Sequence, residues 1–509
     1  MIKRYIINIS YVCLLTVVII ACRKDFEGDR NPTPPPTTVA IIDSVRRESA
    51  DFLTTTVTGY WYGVSQHGFI TGYEVSIDNM QTWSFTEEQR GTFTLNLPFG
   101  VREDFLPIYI RSIDNLGQKD PTPAQMVFPV RNSSPRVSLD PIAYRRPFST
   151  FPIMRVVWNV ADVDGINDIG SYELCFNDTI ARPFSLNADF GIERLSDSTG
   201  IIAIRLEAVR TGITFTNNFN VFTGTRTTPV PGSLTGINYN EINKLFIRAV
   251  DRTGNISAWA MDSFFVRLPV SDILVVNALR SQAAATMNFY RTNFNHPDVN
   301  ITLYDTLYGI STSTRQDEFY TDALTQSRTF NLFKKIVWLT DDPATLATCQ
   351  QTTVDFFNNS GRMFISCLFD QEFPNTAPYL SFTPIEFIIS DSLDGRFRLI
   401  NGATASGIES NWPTIRSETL FAGVVRPIVT YNTGTGIFKY EELMRAQLQV
   451  QRSVGTFDWT GTSTVMSKRV RVINNKADIV ISTLPLRIMN ADNNMPDLFK
   501  KLFKDELGF

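Results

Sequence analysis

Four carboxylates in the second half of the chain stand where chemistry is expected. Asp341 and Asp342 follow the apolar run Lys335–Thr340, and Asp370 and Glu372 follow the run Met363–Cys367. If both runs are strands, all four lie at strand carboxyl ends, the edge where open α/β sheets hold ligands. Oxygen donors gathered there suit a cation or a polar ligand. They also have a simpler reading, with Asp342 capping a helix that Pro343 opens and the others in solvated loops. Cys367 ends the second run, but a thiol nucleophile needs a base within hydrogen-bond reach. Only two histidines exist, His67 and His296, and each is expected in a different part of the fold from Cys367. With Ser366 and Leu368 beside it rather than glycine, Cys367 reads as a small buried hydrophobe. No Gly-x-Ser-x-Gly elbow occurs, and no Gly-x-Gly-x-x-Gly follows Asn277. No catalytic residue and no cofactor is therefore assigned.

The run Asp162-Val163-Asp164-Gly165-Ile166-Asn167-Asp168 places carboxylates around a glycine, which raises calcium. The spacing departs from the helix–loop–helix calcium pattern, and its twelfth position, Glu173, falls in an expected strand. The run is read as an Asp-Gly turn, with no metal assigned. Cys175, Cys349 and Cys367 are too far apart for a Cys-x-x-Cys metal site, and their odd number gives no disulfide framework.

The elements that must position these residues begin with an amino-terminal segment. Lys3 and Arg4 precede a mostly apolar run from Tyr5 to Ile20, ending Ile20-Ala21-Cys22. That order predicts a signal peptide over 1–21. The run is short for a membrane span and is interrupted by Asn8 and Ser10. The Ile-Ala-Cys ending resembles the lipobox of bacterial lipoproteins. The resemblance implies acylation of Cys22 and anchoring in a lipid bilayer. The acidic stretch Asp25 to Asp29 resembles the surface-export signal of some Gram-negative lipoproteins, which implies an outer-membrane, surface-exposed protein, with the periplasmic face as the alternative. Residues 22–38 then form a proline-rich linker, extended by its Asn31-to-Thr38 stretch.

The totals agree with a multidomain globular chain. It has 509 residues, 43% of them hydrophobic, with 47 basic and 51 acidic side chains and a net charge of −4. That balance gives no concentrated basic surface, so nucleic acid is not an expected partner.

From Val39 onward short strands and turns alternate, and they recur. Leu245 to Gly254 matches Ile108 to Gly117, with Arg, Asp and Gly in register, and Tyr172-Glu173-Leu174 echoes Tyr73-Glu74-Val75. In each copy aliphatic alternation builds a half-buried strand, and Asp and Gly turn it. These residues resemble fibronectin type III and related immunoglobulin-like modules. The resemblance implies one β-sandwich over 39–131 and a second over 132–269. The second is longer between its matched residues, so an insertion is expected within 177–243, as decoration or as a contact surface.

After Val270 the period changes. Asp272–Asn277, Val299–Leu303, Lys335–Thr340, Met363–Cys367 and Ala477–Leu486 read as strands. Ser281–Phe294, a stretch from Pro343 to about Phe357, and Leu498–Phe503 read as helices. Alternation of this kind predicts a three-layer α/β domain over 270–509 with a mainly parallel sheet. The Asp272–Asn277 strand, Trp338-Leu339-Thr340-Asp341-Asp342, the Gly361–Cys367 strand and the late strand with Pro485 resemble the class I glutamine amidotransferase-like fold, itself flavodoxin-like. That family works by a Cys-His-Glu constellation, which these residues do not supply. The expectation is an envelope-anchored protein of binding or presentation type, recognising a glycan, a peptide or a neighbouring envelope protein. A hydrolase using the acidic residues of the sheet edge, and a structural spacer, are the alternatives.

Overall fold

The computed structural model describes residues 33–509 apart from 48–53, 97–100, 102, 140–145, 164, 196–199, 212–213, 225–226, 310–317, 321, 370–379, 390–395 and 419–422. Cys22, Asp164, Asp370 and Glu372 lie outside the described residues. The chain divides into two compact units. One joins Met1–Pro135 with Asp162–Ile169 and Val250–Ile256, and the other holds Arg136–Ala161, Gly170–Ala249 and Ser257–Phe509.

The first sandwich is made of β1 (Thr37–Arg47), β2 (Thr54–Val64), β3 (Ile70–Ser76), β4 (Ser84–Thr86), β5 (Arg90–Asn96), β6 (Glu103–Asp114) and β7 (Ala124–Arg131). One sheet runs β1-β2-β5 and the other β4-β3-β6-β7. Alternate residues point inward, as strands facing water on one side require. Val57, Trp61, Tyr73, Ile108, Ile110, Met126 and Phe128 form the core. Trp61 meets Tyr73 edge-on, with ring centroids 6.3 Å apart.

The second sandwich repeats this plan at greater length. Its strands are β8 (Arg136–Leu139), β9 (Ser149–Thr150), β10 (Ile153–Ala161), β11 (Ile169–Phe176), β12 (Phe184–Asn187), β13 (Glu193–Arg194), β14 (Ile201–Thr211), β15 (Thr214–Thr223), β16 (Leu234–Thr235), β17 (Glu241–Asp251) and β18 (Ala260–Val266). One sheet is ordered β16-β15-β14-β10-β8, with β13 also on β14, and the other β12-β11-β17-β18-β9. Trp158 stacks edge-on to Tyr172 at 5.1 Å, matching the Trp61–Tyr73 pair. The residues expected as an insertion are not mere decoration. β14 pairs with β10 from Ile153↔Glu207 to Asn159↔Ile201, so this stretch supplies the body of a sheet. Its apolar residues Ile202, Leu206, Phe219 and Val221 are buried.

The remainder contains β19 (Ile273–Ala278), β20 (Asp305–Tyr308), β21 (Lys335–Thr340), β22 (Arg362–Cys367), β23 (Ile385–Ile388), β24 (Arg396–Leu399), β25 (Thr404–Gly407), β26 (Ile415–Arg416), β27 (Gly423–Val424), β28 (Ile428–Thr430), β29 (Phe438–Ala446), β30 (Gln449–Arg452), β31 (Gly455–Asp458), β32 (Thr464–Arg471) and β33 (Lys476–Ser482). Its main sheet has nine strands in the order β20-β19-β21-β22-β33-β32-β29-β25-β26. The strands from β20 to β33 in that order are parallel. Those from β32 to β26 are added antiparallel. The expected mainly parallel sheet is thus corrected to a mixed one, and the strand-rich content does not support a three-layer α/β domain. The expected strand Val299–Leu303 is also absent. Asn300 takes a positive φ of 49° there, and the strand begins instead at Asp305.

The principal helices are α1 (Ala283–Phe294), α2 (Ala323–Phe330), α3 (Thr345–Thr352), α4 (Val354–Asn358) and α5 (Met495–Phe499). The single helix expected from Pro343 to Phe357 is two pieces broken at Thr353. β19 is buried at every position, as a continuous apolar run demands. Val275, Val337 and Leu339 join Tyr290, Phe294, Phe499 and Phe503 in one apolar cluster. Leu274, Val276, Ile336 and Trp338 join Phe330, Leu346, Cys349 and Phe356 in another. The second cluster also takes in Phe151, whose ring meets Phe333 at 5.1 Å. Tyr320 donates its hydroxyl to the carbonyl of Ile153 at 3.0 Å.

Candidate functional site

The sheet has its cavity at one edge. Where β19, β21, β22 and β33 end at their carboxyl termini, a cleft of about 320 Å³ opens. Parallel strands produce such a crevice because their connections leave in different directions at that edge. Leu279, Leu339, Leu368, Val424, Leu486 and Ile488 supply apolar walls, and Ser281, Gln282, Thr286, Tyr290, Asp341, Ser366 and Arg487 supply polar ones. A mostly apolar lining with a few convergent polar groups is the usual make-up of a ligand pocket.

Asp341 is at the mouth, and its carboxylate is committed. It accepts from the backbone N–H of Arg280 at 2.7 Å, from that of Ser281 at 2.8 Å and from the Ser281 hydroxyl at 2.7 Å. It therefore holds the β19–α1 loop in place. That loop carries Gln282, which takes a positive φ of 49° immediately before α1. A non-glycine residue in this region is uncommon and tends to accompany functional sites. The Gln282 side-chain oxygen accepts from the Arg487 guanidinium, joining the two rims. Asp342 lies one residue on and turns elsewhere. It pairs with the Arg280 guanidinium and accepts from the Ala344 N–H at 3.1 Å, so it braces the entry to α3. Thr340 is equally committed, bonded to Ala278, Asp342 and Thr345.

Tyr290 forms part of the wall from the second half of α1. It is only 2% exposed and its hydroxyl has no hydrogen-bond partner of good geometry, although Ser366 is the polar side chain beside it. Burial pushes the phenol's pKa up, so it stays a neutral donor. A buried hydroxyl left in this state costs free energy until an acceptor arrives.

The other sequence candidates are elsewhere. Cys367 is fully buried in the cluster around Trp338. Cys349 is likewise fully buried, which pushes its thiol pKa up. His296 faces Asp298, with Nδ1 3.4 Å from a carboxylate oxygen. It follows the far end of α1, about 9 Å along the axis from Tyr290. His67 is exposed in the first sandwich. Asp370 and Glu372, expected to join Asp341, lie outside the described residues, as does Cys22. Sequence reasoning found the strand ends but missed Tyr290, Gln282, Ser366, Gly423 and Arg487. Tyr290 and Gln282 look like ordinary helix residues, and Gly423 and Arg487 come from loops that no motif marks. Among the described residues no helix is long and apolar enough to cross a membrane.

No protein-family model matches the chain, and no curated protein matches it in sequence. Solved structures do resemble parts of it. The fibronectin(III)-like modules of Clostridium thermocellum CbhA are 10% identical over 45% of this chain and 95% of that one, with a TM-score of 0.16. The FN1–FN3 domains of chicken CNTN1 are 11% identical over 47% of this chain and 68% of that one, at 0.19. The tetra-tandem repeat in the extending region of a large adhesion protein is 13% identical over 45% of this chain and 50% of that one, also at 0.19. At these scores the likenesses carry no argument. The sandwiches stand on their strand pairing and on the residues they repeat.

Proposed function

We propose that this chain is a lipid-anchored envelope protein of binding or presentation type, whose carboxy-terminal region holds a small, partly apolar group in the cleft at its sheet edge. The observation that carries the reading is the cleft itself, with the unpartnered Tyr290 hydroxyl in its wall. A pure spacer has no use for it. At about 320 Å³ the cleft is near the lower end of small-molecule sites, so it fits one end of a glycan or a short peptide segment rather than a whole folded partner. A hydrolase using the edge carboxylates is the weaker reading, because Asp341 already accepts three donors from its own loop.

The two sandwiches are read as fibronectin type III-like modules on a proline-rich stalk from Cys22. They offer a second surface. The cross-strand pairs Val39↔Tyr62 and Ile41↔Tyr60 lie on the outer face of β1 and β2, and all four side chains are exposed. An apolar strip of this kind on a secreted module suits contact with a neighbouring envelope protein. The carboxy-terminal region, with its mixed sheet, is read as a scaffold used for binding rather than catalysis.

A thermal-shift screen of the full chain against envelope oligosaccharides and short peptides tests the binding reading. At least one compound class should raise the melting temperature, and a flat response across both classes contradicts it. Metabolic labelling with a fatty acid tests the anchor. Label should appear on the wild type and vanish in Cys22→Ser.

A further inference from the structure

Three carboxylates converge in the amino-terminal unit. Asp162, Asp168 and Asp251 bring one oxygen each to within 4.8 Å of one another. Among the described residues no other group of three His, Cys, Asp or Glu side chains converges so closely. Asp168 is 7% exposed and Asp251 3%. Gathering negative charge in so dry a place is unfavourable unless something positive shares it.

The arrangement also leaves oxygens unused. Asp251 Oδ1 accepts from the Thr253 N–H, the Thr253 hydroxyl and the Asn255 N–H, at 2.8–2.9 Å, while its buried Oδ2 has no partner. Asn132, 4% exposed, touches Asp168 Oδ2 through its amide nitrogen at 2.9 Å, and the oxygen of that same amide has no partner. A buried amide beside converging carboxylates, with its oxygen lacking a donor, can turn that oxygen to a cation by rotating end for end.

We propose that Asp162, Asp168, Asp251 and the side-chain oxygen of Asn132 form a calcium site. All four ligands are hard oxygens, with no histidine or thiolate, which excludes the preferences of zinc and copper. Several carboxylates gathered with a neutral amide suit calcium over magnesium, which dehydrates reluctantly and demands a tighter octahedron. Binding would tie Asn132 to the turns at Asp162–Asp168 and Asp251–Asn255.

The test is calorimetric and thermal titration of the chelator-treated full chain with calcium, with magnesium in parallel. Affinity should be about 0.1–1 mM, as in extracellular modules. Calcium at roughly ten times that concentration should raise the melting temperature by about 2–4 °C. Asp162→Ala and Asp168→Asn should each abolish the heat and the shift. Asp168→Asn should also melt higher than the wild type in chelator, because it removes one of the clashing charges, which shows that the variant folds. No calcium heat and no shift in the wild type overturns the proposal. So does a shift that survives in both variants, or a response to magnesium equal to that of calcium.

Discussion

Glu74 and Arg111 face each other across β3 and β6, with the guanidinium 2.6 Å from the carboxylate. Glu173 and Arg248 do the same across β11 and β17, at 2.5 Å. Each arginine lies over a tryptophan, Arg111 at 4.0 Å from Trp83 and Arg248 at 4.3 Å from Trp259. The repeated signature thus encodes one device twice: an ion pair, half-shielded by an indole, that fixes strand register on an outer face.

The pair sets a pH dependence. Burial raises the pKa of Glu74, but hydrogen bonds from Lys119 and Arg111 outweigh it and hold the carboxyl below its ordinary value of 4.5. A carboxylate with a depressed folded pKa stabilises fully above the unfolded value and loses that contribution as pH falls through the folded one. Glu74→Gln should therefore destabilise the first sandwich by about 1 kcal/mol at neutral pH. The difference from wild type should shrink toward zero below pH ~4. Urea melts at both pH values check this, and a pH-independent difference contradicts it.

A buried triad clamps the antiparallel half of the large sheet. Asp478 on β33 accepts from Arg469 at 2.8 and 3.0 Å and from Arg471 at 2.9 Å, and its side chain is 4% exposed. Removing the carboxylate leaves two guanidinium groups without their anion. Asp478→Ala should cost about 3–5 kcal/mol, read by chemical denaturation. A loss under 1 kcal/mol would show that water replaces the anion at little cost.

Tyr290 separates stability from binding. Its ring packs on Phe294 and Phe499 at 5.8 and 5.4 Å, and phenylalanine keeps those contacts. Only the unpartnered hydroxyl is lost. Tyr290→Phe should raise stability by about 1 kcal/mol in the free protein and weaken any ligand that bonds the hydroxyl. A fall in stability would mean that Ser366 already satisfies it.

What the sequence disclosed follows from how local each signal is. The turn at Asp251–Gly254 was readable because its residues are contiguous, and Gly254 does adopt a positive φ of 91°, as Gly117 does at 76°. β19 and β21 were readable because burial at every position makes an unbroken apolar run. β29 and β32 were not, because Lys439, Glu441, Lys468 and Arg469 break the apolar pattern and become intelligible only through partners such as Asp478 and Glu506. Asp341 was found, but its role was not, since the donors from Arg280 and Ser281 arrive from another strand. Asp251 could not be grouped with Asp162 and Asp168 from spacing, because the intervening strands of the second sandwich fold it back onto them.

The most direct measurement fills the cleft. Gly423 lines it, and a Cβ added there meets only Ile488 Cδ1, at 3.9 Å, which leaves room for a ring to turn into the cleft. Gly423→Phe should place its ring in the cleft, and an unchanged melting temperature shows that the core is undisturbed. Titrating a compound from the glycan and peptide screen into wild type and Gly423→Phe by calorimetry should give saturable heat with the first and none with the second, at matched melting temperatures. Equal binding by both proteins would place the ligand elsewhere and contradict the account.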